Sequence, residues 1–115
     1  MTKKRIAEVY RFLAAASMKR LQDEEKIKLI RLLRQMKPVA NELSEAINDA
    51  MQKAIADGME RPDQFALNAV ADIAGQNMEV ITAIMTEDAF ERLALSNDWN
   101  FGQIDELQEV LVIKE

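Results

Sequence analysis

Three carboxylates, Glu42, Glu45 and Asp49, fall at positions i, i+3 and i+7. On a helix that spacing sets them along one face. All-oxygen ligation suits Mg²⁺, and paired Glu-x-x-Glu segments on facing helices can hold the ion for phosphoanhydride hydrolysis. Such a site needs a second half. Glu87, Asp88 and Glu91 are the nearest candidates for it. Acidic residues at helical spacing are also what a solvated helix face carries, so the pattern does not assign a metal site. Other chemistry is narrowed by composition. The chain has no His and no Cys, which removes His- or Cys-ligated zinc and the Ser-His-Asp and Cys-His nucleophilic sites. No P-loop and no Gly-rich dinucleotide fingerprint is present. We therefore expect a non-enzymatic protein with no catalytic residue, no metal ligand and no cofactor.

A second set of charges suggests binding rather than catalysis. Residues 1–37 carry 11 basic and 4 acidic side chains, whereas residues 38–115 carry 4 basic and 16 acidic ones. Within the basic third, Lys26, Lys28, Arg31, Arg34 and Lys37 could contact phosphates. At 100° per residue, however, they spread around much of a helix instead of forming one stripe, and Glu24 and Glu25 lie beside them. Nucleic-acid binding by residues 1–37 is thus the alternative reading. The favoured one is mutual attraction of the basic and acidic parts, within one fold or between copies.

These charges sit on an element with a legible seam. Leu29, Leu33, Met36, Ala40, Leu43, Ile47, Ala50 and Ala54 keep an unbroken four-three spacing, the signature of a helix packed lengthwise on others. Asp23 is a good N-cap, with Glu24 and Glu25 in the first turn. Asp57-Gly58 ends the segment, Gly taking the C′ position. Pro38 interrupts it and costs about 3 kcal/mol in a helix interior. Yet the seam holds its phase across Pro38, and Gln35, Met36 and Lys37 offer no cap for a new start. One kinked helix of roughly 50 Å at 1.5 Å per residue is therefore expected in preference to two short ones.

Shorter helices should flank it. Ile6, Val9, Leu13 and Ala16 give an apolar stripe over residues 2–16. In residues 59–78, Arg61-Pro62-Asp63 reads as a turn into a helix striped by Phe65, Ala69, Ile73 and Val70, which Gly75-Gln76-Asn77 would end. Residues 79–85 read as helix or extended connection. The C-terminal third carries two matching start signals. Thr86 caps a helix, with Met85 and Phe90 as a hydrophobic staple. Asn100 then caps the last helix, with Gln103 at N3 and Trp99 and Ile104 as the second staple. Trp99 should be largely buried between this helix pair. Met36, Met51 and Met85 are assigned to the core, whereas Met18, Met59 and Met78 lie in or near connections, where they could form an exposed soft patch.

The architecture expected is all-α. A long kinked central helix, a shorter N-terminal helix and a C-terminal helix pair should form one helical bundle over residues 1–115. With three Gly and two Pro in 115 residues, turns are few. The absence of Cys fits a cytoplasmic protein. Glu8, Tyr10 and Arg11 interrupt any signal-peptide apolar region, and no apolar run reaches the ~20 residues of a membrane span.

The stretches Ala89-Phe90-Glu91-Arg92-Leu93, Ser96-Asn97-Asp98-Trp99, Gln103-Ile104 and Leu107-Gln108-Glu109-Val110-Leu111 resemble the C-terminus of uncharacterised small helical proteins encoded in phages and prophages of gut bacteria. Residues 23–38, ending in Lys37-Pro38, are similar too. The resemblance covers about half the chain. It implies a phage accessory or assembly role with no catalytic residue to carry over. The functional expectation is an interaction protein acting through helix-mediated association, with a phage structural protein or a second copy as partner. The seam is the candidate surface, and an antiparallel C2 dimer the simplest closed outcome.

Overall fold

The computed structural model describes residues 1–114. Among them lie five helices: α1 (Lys3–Ala14), α2 (Asp23–Ala56), α3 (Gln64–Ala74), α4 (Glu87–Leu95) and α5 (Phe101–Leu111). The fold is all-α, as the apolar periodicity requires. Of the expected domain, only Glu115 lies outside the described residues.

α2 runs unbroken through Pro38 for 34 residues. Pro38 donates no hydrogen bond to the Arg34 carbonyl, but both residues are solvent-exposed, so water can serve that carbonyl. Met36, Val39 and Ala40 are all buried. They anchor the chain to one core on both sides of Pro38. Burying a side chain the size of Met or Val is worth about 1.5–3 kcal/mol, enough to offset the ~3 kcal/mol cost of the proline. The molecule measures 52 × 26 × 24 Å, so α2 sets its length. The radius of gyration is 16.8 Å, above the ~13 Å of a compact chain of this size.

The start of α2 differs from the sequence expectation. The N-cap is Gln22, not Asp23, because Glu25 at N3 accepts a hydrogen bond from the Gln22 N–H at 2.8 Å. Asp23 then falls in the first turn, where it complements the helix dipole. Thr86 and Asn100 cap α4 and α5 as expected, whereas α3 starts on Asp63 as its cap, so Pro62 lies before the helix and not near its first position. Thr2, Asp63, Thr86 and Asn100 each accept from a backbone N–H three residues on. Gln103 completes the Asn100 box by accepting from its N–H. Residues 79–85 form an extended connection. It is tied to the end of α5 where Ile84 N–H donates to Leu111 O and Ile113 N–H donates to Met85 O, both at 2.9 Å.

The main core lies at one end of α2. Ile6, Val9 and Leu13 of α1, Leu29, Leu32, Met36 and Val39 of α2, and Met85, Phe90, Leu93, Leu107 and Leu111 from the C-terminal third share one buried cluster. Both staples join it, Met85 and Phe90 buried, Trp99 and Ile104 half-buried. Trp99 is thus less buried than expected. Its ring packs on Phe12 of α1, centroids 5.1 Å apart and planes tilted by 44°, an arrangement aromatic quadrupoles favour. Asn97 closes the same corner. Its side chain accepts from Ser17 N–H at 2.7 Å and donates to Ser17 O and Leu93 O. A smaller cluster follows along α2, where Ala7, Ala40 and Leu43 meet Tyr10, Ile73 and Ala74.

Candidate interaction surfaces

Glu42 is already engaged, both its oxygens accepting from Lys3 Nζ at 3.0 Å. Glu45 and Asp49 are exposed. The proposed second half, Glu87, Asp88 and Glu91, belongs to α4, which docks far away through Arg92 and Glu25. Glu25 and Glu42 are separated by roughly 25 Å of helix at 1.5 Å per residue. The structure does not bring the two acidic sets together. Among the described residues no group of three or more Asp or Glu side chains is placed to hold a metal ion.

The halves of opposite charge do meet within the fold. Lys3 pairs with Glu42, and Arg5 with Glu106 at 3.5 Å. The best-formed pair runs the other way, Arg92 of the acidic part holding Glu25 of the basic third, bidentate at 2.6 and 2.8 Å. The Arg92 hydrogen bonds hold the Glu25 carboxyl below its usual range, burial opposing them and the Gln22 N–H adding to them. The Arg92 guanidinium is held above its usual range by the same bonds. By contrast, Lys26, Lys28, Arg31, Arg34 and Lys37 enter no ion pair among the described residues.

One groove crosses the main core. Arg5, Glu8, Gln103 and Glu106 ring an apolar floor of Val9, Phe12 and Leu107 between α1 and α5, enclosing about 200 Å³. That is smaller than the ~300–1,000 Å³ usual for small-molecule sites.

The seam divides along its length. Leu29, Met36, Ala40, Leu43 and Ala54 are buried within the chain, and Leu33 and Ala50 are half-buried. Ile47 alone of the eight is exposed, at 47%. Leu32 and Val39 join the buried stripe, though the four-three pattern omits them. They close the seam into the wider apolar face of a helix covered from two sides. α1 covers Ala40 and Leu43, and α3 approaches Ala50 and Ala54.

Beyond Leu43, α2 and α3 form an arm with little interior. α3 is apolar at eight of eleven positions, and its polar residues Gln64, Asn68 and Asp72 share a single i, i+4, i+8 stripe. A helix so apolar is normally enclosed, yet α3 has no buried residue. The expected inward stripe is corrected accordingly. Phe65 is 81% exposed, Ala69 is exposed too, and only Ile73 and Val70 are half-buried. Met51, assigned to the core, is exposed beside Ile47 and Ile55. Met59 and Met78 are exposed as expected, while Met18 is half-buried against the core. No signal in the sequence distinguishes Phe65 from a core aromatic, because its spacing is that of a buried stripe. No helix among the described residues is long and apolar enough to cross a membrane.

Comparison of the chain with protein-family models, curated proteins and solved structures finds no match.

Proposed function

We propose that the protein is a non-enzymatic interaction protein, of the phage or prophage accessory or assembly kind its sequence resembles, and that it works by helix-mediated association. The observation that carries this is α3, apolar at eight of eleven positions with no residue fully buried. Phe65 and Leu67 of α3 and Ile47, Met51 and Ile55 of α2 are all exposed on this arm, and exposed apolar side chains gathered in one region mark sites of protein association. The test is to co-express the tagged chain with the products of its neighbouring genes. Stoichiometric co-purification that Phe65→Ser with Leu67→Ser abolishes supports the reading. A chain that binds no neighbour and no copy of itself, or whose neighbour binding persists through these changes, overturns it.

The alternative is nucleic-acid binding through residues 1–37. It draws on the five basic side chains of residues 26–37, which enter no ion pair among the described residues. Fluorescence anisotropy with duplex and single-stranded DNA would reveal it as binding that weakens steeply with salt.

A further inference from the structure

The back of α2, opposite the core, carries a stripe whose spacing is the same read in either direction. Ile27, Ile30, Lys37, Asn41, Glu45 and Ile55 lie along it, all exposed. Arg34, Asn48 and Gln52 fill the remaining steps. Counted outward from Asn41, each position has a counterpart at equal distance on the other side. Ile27 answers Ile55, Arg34 answers Asn48, and Lys37 answers Glu45. Charge reverses across the same point. Residues 26–37 hold five basic side chains and no acidic one. Residues 42–57 hold four acidic side chains and one basic one.

We infer that a second copy of this chain docks antiparallel along the back of α2, on a two-fold axis through Asn41. Reversing the partner helix about that point sets each Lys37 against the partner's Glu45, and each Ile27 against the partner's Ile55. On the stripe itself Arg34 and Lys37 stand on one side of the axis and Glu45 on the other, so the basic positions of one copy meet Asn48 and Glu45 of the other. Neither Lys37 nor Glu45 enters an ion pair within the chain among the described residues, so both are available. Ile27 and Ile55 are 47% and 62% exposed, and pairing would withdraw them from water at both ends of the interface. A parallel pair would instead set basic half on basic half. The seam offers no such face, since its residues are spent inside the chain except Ile47. A C2 arrangement is closed and leaves α3 free for another partner. The inference rests on the helix-mediated reading above and names one of its partners.

The chain lacks Cys, so single cysteines report the axis cleanly. Asn41→Cys should cross-link to itself under mild oxidation, because the axis brings both copies within reach of the ~4 Å Cβ separation a disulfide needs. Asn48→Cys should not, its copies lying about 21 Å apart along the pair at 1.5 Å per residue. A mixture of Arg34→Cys and Asn48→Cys chains should cross-link to each other. The charges give a second readout. Lys37→Glu or Glu45→Lys alone should weaken the dimer about tenfold by light scattering, each creating two like-charge pairs. The double swap should restore it. Equal cross-linking at positions 41 and 48, or no rescue by the double swap, overturns the inference. So does a mass fixed at 13.1 kDa at every concentration. If neighbour binding still depends on Phe65 in that case, the broader reading survives.

Discussion

Leu29 and Ile47 occupy one seam of one helix, yet Leu29 is sealed and Ile47 is 47% exposed. Nothing in α2 itself separates them. Leu29 has α1, α4 and α5 around its core cluster, whereas beyond Ser44 the helix packed on α2 is α3. α1 is 12 residues long, about 18 Å at 1.5 Å per residue, so it cannot follow α2 over its whole length. Apolar periodicity states a helix's capacity to be buried. Burial itself depends on how much chain remains to cover it. Here the covering chain is concentrated at one end, and the other end is left as an arm.

The sharpest way to break this contrast is to truncate one phenylalanine in each region. Phe90 is 2% exposed and Phe65 is 81% exposed. Phe90→Ala should cost about 3–5 kcal/mol, and Phe65→Ala should stay within about 0.5 kcal/mol. Urea titration followed by circular dichroism measures both. Similar losses at the two sites would mean that α3 has a core after all. Next in size is Trp99→Ala. Half-burial against Phe12 should make it cost about 2 kcal/mol, below the range for a sealed aromatic. A loss as large as that of Phe90→Ala would restore the enclosed Trp99 that the staple pattern suggests.

Much of the fold is legible in local chemistry. The Thr86 and Asn100 caps, the staples and the continuous α2 follow from residues close in sequence, because caps and seams are satisfied within a few turns. The start of α2 is less so. Asp23 is the better cap by type, but Glu25 reaches both the Gln22 N–H and Arg92, and this long-range pair selects the register. Asn97 reads as a turn residue, while its role is to clamp Ser17 at the far side of the core. The exposure of α3 is equally invisible locally. Its stripe meets too little neighbouring surface, and only the tertiary arrangement shows that.

A third measurement asks whether the arm unfolds by itself. Gly58 links α2 to α3 with φ +76°, a left-handed conformation that costs a side-chain-bearing residue about 1–2 kcal/mol. An added Cβ meets nothing within 4 Å, so Gly58→Ala acts through the backbone alone. Hydrogen exchange of α3 amides should speed up about fivefold for each kcal/mol. Unfolding followed by the single Trp, which sits in the other region, should scarcely move. If both shift together, the molecule is one cooperative unit and the division drawn here fails.

The smallest effect contrasts two of the long-range ion pairs, those of Glu25 and Glu42, and vanishes in acid. Glu25 lies at the packed end with its side chain 17% exposed, whereas Glu42 lies towards the arm with its side chain 46% exposed. Arg92 lowers the Glu25 pKa in the folded state, so the unfolded chain binds the proton more readily. The stability this contributes is fully present above the unfolded value, near the ordinary 4.5, and is lost as pH falls through the lower folded value. Glu25→Gln keeps an oxygen for the Gln22 N–H but gives up the charge. It should therefore be less stable than the parent at pH 7, and the two urea midpoints should converge below the carboxylate range. Glu42→Gln should change stability little at neutral pH, because water and salt already screen its pair with Lys3. Equal sensitivity at the two positions would mean that the Lys3 contact holds the arm as firmly as Arg92 holds the core.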